Sequence, residues 1–172
     1  MDKIRLAKLE DANQIVELFE DAKEKFKEEK TFQWAGTYPN IESFYNDLEN
    51  NVVYVYESEG VILGASTIQY SIDHNYDYID GAWLNNEKYA SIHRIVVSRK
   101  AQCRSIGTKL YQKCEEEVYK NNIRNIRVDT YKLNKSMIRL LEKNDFIRCG
   151  IIYLARTDVY DRERIAFHKV LI

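Results

Sequence analysis

The chain has 172 residues, with 26 basic and 27 acidic side chains and a formal net charge of −1. This is the length of one ordinary domain, and it is long enough to bury a core without disulfides or a structural metal. The balanced charge gives no electrostatic reason to expect nucleic acid or an anionic membrane as a partner. We therefore predict a single domain over residues 1–172 that binds a small ligand.

The cysteines and the apolar segments bear on the compartment and on metals. The three cysteines show no Cys-x-x-Cys spacing, which predicts reduced thiols and no metal site. The sequence has no signal-peptide core and no apolar run long enough to span a bilayer. We therefore expect a cytoplasmic protein.

The first half of the chain predicts a strand, two helices and a β-hairpin. The strand pattern is alternation of apolar and polar residues, and the first helix shows apolar residues at helical spacing. The hairpin turns at Gly60, between two β-rich runs. In chain order these elements are predicted over residues 4–8, 11–29 and 41–48, with the hairpin over 52–57 and 61–70.

The second half begins with a polar, aromatic stretch, residues 73–88, which fits either a long loop or an irregular strand extension. A strand, a helix, a strand, a helix and two strands follow. They are predicted over residues 89–97, 105–120, 123–130, 135–144, 146–156 and 164–172. The order βααβββαβαββ predicts an α/β (α+β) fold, a mixed sheet with helices on both faces.

The segment joining the fourth predicted strand (89–97) to the following helix (105–120) is a candidate phosphate site. Free N–H groups and the positive dipole end of a helix start favour a phosphate ligand. Gly107 lets the backbone approach a pyrophosphate, and Arg99, Lys100 and Arg104 add positive charge. An ordinary turn with solvated cations remains an open alternative, because one glycine is a weak signal.

Three segments of this half resemble the GCN5-related N-acetyltransferase (GNAT) family. Gln102-x-x-Ser105-x-Gly107 is similar to the family loop Gln/Arg-x-x-Gly-x-Gly/Ala, with Ser105 at the first glycine. Asp-Thr-Tyr-Lys-Leu-Asn-Lys-Ser-Met, at 129–137, resembles the family's strand-to-helix segment. Leu-Leu-Glu-Lys-Asn-Asp-Phe, at 140–146, resembles the ending Leu-Tyr-Glu-Lys-x-Gly-Phe. The resemblance covers essentially the whole chain and implies the GNAT fold, a mixed twisted sheet whose fourth and fifth strands splay apart.

The resemblance also implies acetyl-CoA as cosubstrate and positions for its parts. The pantetheine arm would pair with the fourth strand, and the pyrophosphate would sit on the loop backbone. Asn134 corresponds to a family asparagine near the cofactor, although asparagine is also a good helix N-cap. The implied cofactor-binding residues are Ile95, Val96, Val97, Gln102, Cys103, Arg104, Ser105, Ile106, Gly107, Thr108 and Asn134.

The implied reaction is direct attack of a neutral amine on the thioester carbonyl. His93 is the candidate base, because strand alternation places it on one face with Ile95 and Val97 and a free histidine has a pKa of about 6.5. A core histidine is the open alternative. Leu141 stands where many relatives carry a tyrosine thought to protonate the leaving thiolate, so Tyr131 or a water is the candidate acid.

Aromatic side chains predict the acceptor pocket, where a cationic amine would meet them through cation–π contact. Local packing of long loops is the open alternative for each of them. The candidates are Trp34, Tyr38, Tyr78 and Trp83.

These features predict an N-acetyltransferase that acts on the primary amine of a small molecule. A protein or peptide N-acetyltransferase is an alternative within the same chemistry, and a catalytically degenerate CoA-binding module is a second. We expect no nucleic-acid or membrane partner, and a homodimer is left open.

Overall fold

Over residues 1–101 and 104–172, which the computed structural model describes, the chain forms an eight-stranded mixed sheet and four α-helices. The strands are β1 (Asp2–Leu6), β2 (Val52–Ser58), β3 (Val61–Gln69), β4 (Asp80–Gly81), β5 (Tyr89–Val97), β6 (Asn125–Thr130), β7 (Ile147–Tyr153) and β8 (Glu163–Val170). The helices are α1 (Ala12–Glu28), α2 (Ile41–Asn50), α3 (Ile106–Lys120) and α4 (Lys135–Lys143).

The predicted order of elements is confirmed, with one addition. The stretch 73–88 contains a 3-10 turn, His74–Tyr76, and the two-residue strand β4, which pairs with β7. A strand of two residues has no periodicity that a sequence pattern can reveal. Because of this extra strand, the fourth predicted strand, 89–97, is β5, and the fifth predicted strand, 123–130, is β6.

The sheet opens between β5 and β6. The strand order is β1-β2-β3-β5-β6-β8-β7-β4, and β5 and β6 run parallel. They pair only from Tyr89 to Ser91 on β5 and from Asn125 to Arg127 on β6, although β5 continues to Val97. The expected splay is therefore confirmed. It leaves the second half of β5 without a neighbouring strand on that side.

Two helical layers cover the sheet, one on each face. Helices α3 and α4 pack on one face, where Leu110 and Leu141 are buried against Ile92 and Ile126. Helices α1 and α2 pack on the other face, in a cluster of Ile15, Phe19, Phe44, Val55 and Val96. None of the helices in the described part of the chain is both long and apolar enough to cross a membrane.

A β-bulge at Arg94 interrupts the alternation of β5. Pairing with β3 shifts there, from Ala65 opposite Val96 to Thr67 opposite His93, and Arg94 has a φ of +49°. As a result, Ile92 and Ile95 both pack in the core beneath α3, which strict alternation forbids. The prediction that His93 shares a face with Ile95 and Val97 is wrong, because the bulge inserts one residue between them.

Candidate active site

One cavity of about 1030 Å³ follows the opening between β5 and β6. Its walls include residues 92–97 of β5 and 128–130 of β6. The start of α3 and one side of α4 line one part of it, and the segments 72–75 and 154–160 line another. The segment 32–38 also lines the cavity and reaches the start of α4, where Nδ2 of Asn134 donates a hydrogen bond of 2.9 Å to Oε1 of Gln33. The opening in the sheet therefore joins two chemically different ends of one cavity.

The first end, which we call the helix end, is formed where α3 begins. The N–H groups of Ile106, Gly107 and Thr108 open this helix and have no intrahelical acceptor. They line the cavity together with the positive end of the helix dipole. Ser105 precedes them with a φ of +55°, the left-handed conformation that favours glycine.

Gly107 also has a packing role. A Cβ atom on Gly107 would lie 2.8 Å from Cδ2 of Leu140 on α4. The absence of a side chain at this position therefore allows α3 and α4 to approach each other beside the cavity.

Eight of the predicted cofactor-binding residues line the cavity. They are Ile95, Val96, Val97, Ser105, Ile106, Gly107, Thr108 and Asn134. Asn134 is buried and also caps α4, because its Oδ1 accepts a hydrogen bond of 3.2 Å from the Met137 N–H.

The structure does not place the other three predicted cofactor-binding residues in the cavity wall. Arg104 points away from the cavity, because Asp2 holds its guanidinium at 2.6 Å in an ion pair. Gln102 and Cys103 lie outside the described residues.

The second end, which we call the carboxylate end, brings together His93, Asp73 and Asp129. Nε2 of His93 lies 3.0 Å from Oδ2 of Asp73, close enough for an ion pair but out of line for a hydrogen bond. Asp73 also accepts hydrogen bonds from the backbone and side-chain amides of Asn75, at 3.0 and 2.9 Å. All three acid–base groups line the cavity.

The two carboxyl groups titrate in opposite directions. Burial opposes ionisation of Asp73, but the nearby His93 and the hydrogen bonds from Asn75 outweigh it, so the pKa of Asp73 lies below its ordinary value. Burial raises the pKa of Asp129 above its ordinary value, despite the nearby His93 and a hydrogen bond of 2.7 Å from the hydroxyl of Tyr76. Divergent carboxyl pKa values in one cleft are typical of acid–base sites.

Four arginines line the cavity, and three of them have carboxylate partners. Arg94 pairs with Asp47 through two nitrogens, Arg99 with Glu28, and Arg156 with Asp158. The fourth, Arg164 on β8, is 5% exposed and has no ion pair with a described residue. Burial lowers the pKa of Arg164, although the charge of Asp129 opposes this change.

The structure brings two of the predicted acceptor residues to the cavity, namely Trp34 and Tyr38. Tyr78 is not among the lining residues and is 67% exposed. Trp83 packs against Tyr76 and His168, with the guanidinium carbon of Arg127 4.3 Å from its ring centre. The prediction placed these two at the acceptor site because they lie in the 73–88 loop, but that part of the loop turns towards β7 and β8.

The predicted acid is also displaced. Tyr131 does not line the cavity, and its ring lies under Arg164, 5.1 Å from the guanidinium carbon. Tyr38, Tyr111 and Tyr160 do line the cavity, and the hydroxyl of Tyr111 on α3 contacts Sδ of Met137 at 3.4 Å. Residue 131 follows the end of β6, where the chain turns away from the opening.

Sequence reasoning did not single out Asp73, Asp129 or Arg164 as site residues. Asp129 stood within a recognised motif, but its burial depends on Tyr76, which comes from a distant loop. A carboxylate within a buried strand, beside a family motif, is the one signal that could have pointed to it.

Comparison with protein-family profiles matches residues 13–146 to the acetyltransferase (GNAT) family. The chain therefore belongs to the GNAT family of acetyltransferases, whose reaction is acyl transfer from acetyl-CoA. No group of acidic, histidine or cysteine side chains among the described residues has the arrangement of a metal site. Comparison with curated protein sequences found no matching relative.

Solved structures share the fold over nearly the whole chain. A GNAT acetyltransferase from Streptococcus agalactiae is 25% identical, with a TM-score of 0.87 over 99% of this chain and 96% of that one. An N-acetyltransferase from Staphylococcus aureus is 22% identical, with a TM-score of 0.74 over 100% and 99%. A ribosomal-protein-alanine N-acetyltransferase from Brucella melitensis is 20% identical, with a TM-score of 0.71 over 98% and 99%.

Proposed function

We propose that this protein transfers the acetyl group of acetyl-CoA to the primary amine of a small molecule. The observation that carries the proposal is the single cavity through the opening between β5 and β6. It joins a helix N-terminus at one end to His93, Asp73 and Asp129 at the other. A phosphate-bearing thioester and a cationic amine can thus enter from opposite ends and meet in the opening.

Acetyl-CoA fits the helix end. Its pyrophosphate would meet the N–H groups of Ile106, Gly107 and Thr108 at the positive end of α3. The pantetheine arm would follow the edge of β5 from Val97 to Ile95, which has no strand partner on that side. The thioester carbonyl would then face a strand N–H group, which can stabilise the oxygen as it gains charge.

An amine enters as an ammonium ion and must lose a proton before it attacks. Asp73 and Asp129 attract the ammonium ion, and His93 accepts its proton, while Asp73 holds the imidazole in place. The neutral nitrogen then attacks the carbonyl carbon, and the carbon–sulfur bond breaks. The second proton of the attacking nitrogen passes to the CoA sulfur, directly or through water, so the products are the neutral amide and CoA thiol. Holding both reactants in one cavity supplies a large part of the rate by making the encounter effectively unimolecular.

The carboxylate end favours a small acceptor over a folded protein. Two contacts join the segments 32–38 and 154–160, which both line the cavity. The rings of Phe32 and Tyr160 lie 4.5 Å apart, and the guanidinium carbon of Arg156 lies 4.4 Å from the ring centre of Tyr38. A protein chain would have to separate these contacts to reach His93.

Three further parts of the proposal are supported only by the sequence. We keep a single functional domain over residues 1–172, a cytoplasmic location and the absence of nucleic-acid or membrane partners as predictions. A homodimer stays open beside them.

The proposal is tested by measuring CoA release with a thiol reagent, using acetyl-CoA and a panel of amino acids, amino-acid amides, polyamines and arylalkylamines. We expect saturable, acceptor-dependent release with at least one amine. His93→Gln should lower kcat by about 100-fold, the scale of a lost general base, with little change in acetyl-CoA affinity. If no amine on the panel releases CoA above the rate of hydrolysis, the proposed function is wrong.

A further inference from the structure

Arg164 is an unusual arginine for a site that binds amines. It is 5% exposed, on strand β8, and its side chain lines the carboxylate end of the cavity. Its Nη1 donates to the carbonyl oxygens of Asp161 and Glu163, at 2.7 and 2.8 Å. These two backbone contacts fix the guanidinium, but neither of them neutralises its charge.

The other arginines that line the cavity each have a carboxylate partner, and Arg164 has none among the described residues. Arg94 is the closest comparison, because it is also largely buried and Asp47 neutralises it through hydrogen bonds of 2.5 and 2.6 Å. Arg164 has no carboxylate within ion-pairing distance in the described part of the chain. The charges of Asp129 and Asp161 act on Arg164 only from beyond ion-pairing distance, so, among the described residues, its guanidinium lacks the directly bonded counter-ion that the carboxylate of a ligand would supply.

The strand register places this positive charge beside the carboxylate of Asp129. Asp129 on β6 pairs with Ala166 on β8, and Arg164 is two residues from Ala166, on the same face of the sheet. Diagonal neighbours of this kind have side chains about 7–8 Å apart at their bases. One positive and one negative group therefore face the same small volume, a short distance apart.

Because Arg164 offers a fixed guanidinium and Asp129 a nearby carboxylate, we infer that the acceptor is an α-amino acid. Its carboxylate binds Arg164, and its amine lies towards Asp129 and His93. A planar guanidinium matches a carboxylate through two parallel hydrogen bonds, which a neutral amide does not reproduce. This inference rests on the proposed acetyl transfer and specifies the class of acceptor for the same site.

The inference predicts that the enzyme prefers acceptors with a carboxylate next to the reacting amine. Polyamines, arylalkylamines and lysine side chains within proteins carry an amine without a neighbouring carboxylate, and each would leave Arg164 unpaired. A buried charge that loses its partner is penalised strongly, so these acceptors should react poorly.

The wild-type enzyme provides the first test. CoA release is measured with the twenty protein amino acids and with the carboxamide of each, which keeps the α-amine and the side chain. We expect kcat/KM for the best amino acid to exceed that of its amide by about 100-fold, the scale of a charged hydrogen-bond pair. Equal values for acids and amides would overturn the inference.

Variants assign the preference to Arg164. In Arg164→Gln, kcat/KM for the amino acid should fall towards that for the amide, so the ratio of the two approaches one. Arg164→Lys should restore part of the ratio, because it keeps the charge but not the fork of donors. The matched control is Arg148→Gln, since Arg148 is paired with Glu142 on the surface and does not line the cavity, and it should keep the wild-type ratio.

Failure of this inference is distinguishable from failure of the proposed function. If polyamines or arylalkylamines are acetylated and amino acids are not, acetyl transfer stands and the inference is wrong. If Arg164→Gln folds, as shown by its thermal melt, and keeps the wild-type ratio, the carboxylate is bound elsewhere and the assignment is wrong. If Arg164→Gln does not fold, the wild-type ratio and Arg164→Lys decide the question.

Discussion

The helix end and the carboxylate end of the cavity offer different kinds of polar group to a ligand. At the helix end, backbone N–H groups of residues 106–108 face the cavity, and apolar side chains such as Ile95 and Leu140 lie among the residues that line it. At the carboxylate end, the polar groups are titratable side chains, among them Asp73, His93, Asp129 and Arg164. The first end depends on the path of the backbone, and the second depends on a few titratable side chains.

This difference predicts different responses to substitution. Side-chain changes at the carboxylate end should alter chemistry and acceptor choice while leaving acetyl-CoA binding intact. Changes that displace the backbone at the helix end should weaken acetyl-CoA binding and also destabilise the fold, because the helix start is part of the core. The predictions below test this separation, beginning with the largest expected effect.

Asp129→Asn should separate catalysis from cofactor binding. We expect kcat/KM for the acceptor to fall by about 100-fold or more, because the ammonium ion loses a buried counter-charge. The dissociation constant of acetyl-CoA should stay within about two-fold of the wild-type value. A variant that loses acetyl-CoA affinity along with activity would contradict the division between the two ends.

The same variant should be more stable than wild type at neutral pH. The pKa of Asp129 is raised in the folded protein, so ionisation costs folding free energy above the ordinary aspartate pKa of about 4. Asparagine removes that cost and still accepts the hydrogen bond from Tyr76. Urea unfolding should show a gain in the free energy of unfolding that shrinks as the pH is lowered from 8 towards 4. A constant gain over this range would argue against a raised pKa.

Gly64→Ala tests the helix end through its packing. A Cβ atom on Gly64 of β3 would lie 2.8 Å from Cγ2 of Ile106 and 3.1 Å from the carbonyl oxygen of Val96. We expect a loss of about 1–2 kcal/mol in the free energy of unfolding and several-fold weaker acetyl-CoA binding, because overpacking displaces the start of α3.

The matched control for Gly64→Ala is Gly36→Ala in the segment 32–38. A Cβ atom on Gly36 meets no other atom within 4 Å. This variant should stay within about 0.5 kcal/mol of wild-type stability and bind acetyl-CoA normally. Equal effects of the two alanines would show that close packing beneath α3 is not what positions the helix start.

The helix end was largely predictable from the sequence, because its residues are contiguous. The run from 89 to 97 reads as a strand and is β5, and residues 105–108 directly open α3. Local patterns of this kind predict the elements directly, and the phosphate-binding role of the helix start stays a prediction.

The carboxylate end was not predictable to the same degree, since its residues come from distant segments. Asp73 meets His93 through a loop, and Arg164 neighbours Asp129 only through strand pairing. The bulge at Arg94 was also hidden, because its residues fit the pattern of an uninterrupted strand. Each of these features depends on tertiary contacts that alternation and spacing do not encode.

The central claim is that acetyl-CoA binds at the start of α3, along the open edge of β5. Its most direct test is calorimetric titration of the wild-type protein with acetyl-CoA and, in parallel, with free CoA. The account predicts saturable binding near one site per chain for both ligands, because both carry the pyrophosphate that meets the helix start. No saturable heat with either ligand would contradict the assignment of the helix end, and with it the proposed acetyl transfer.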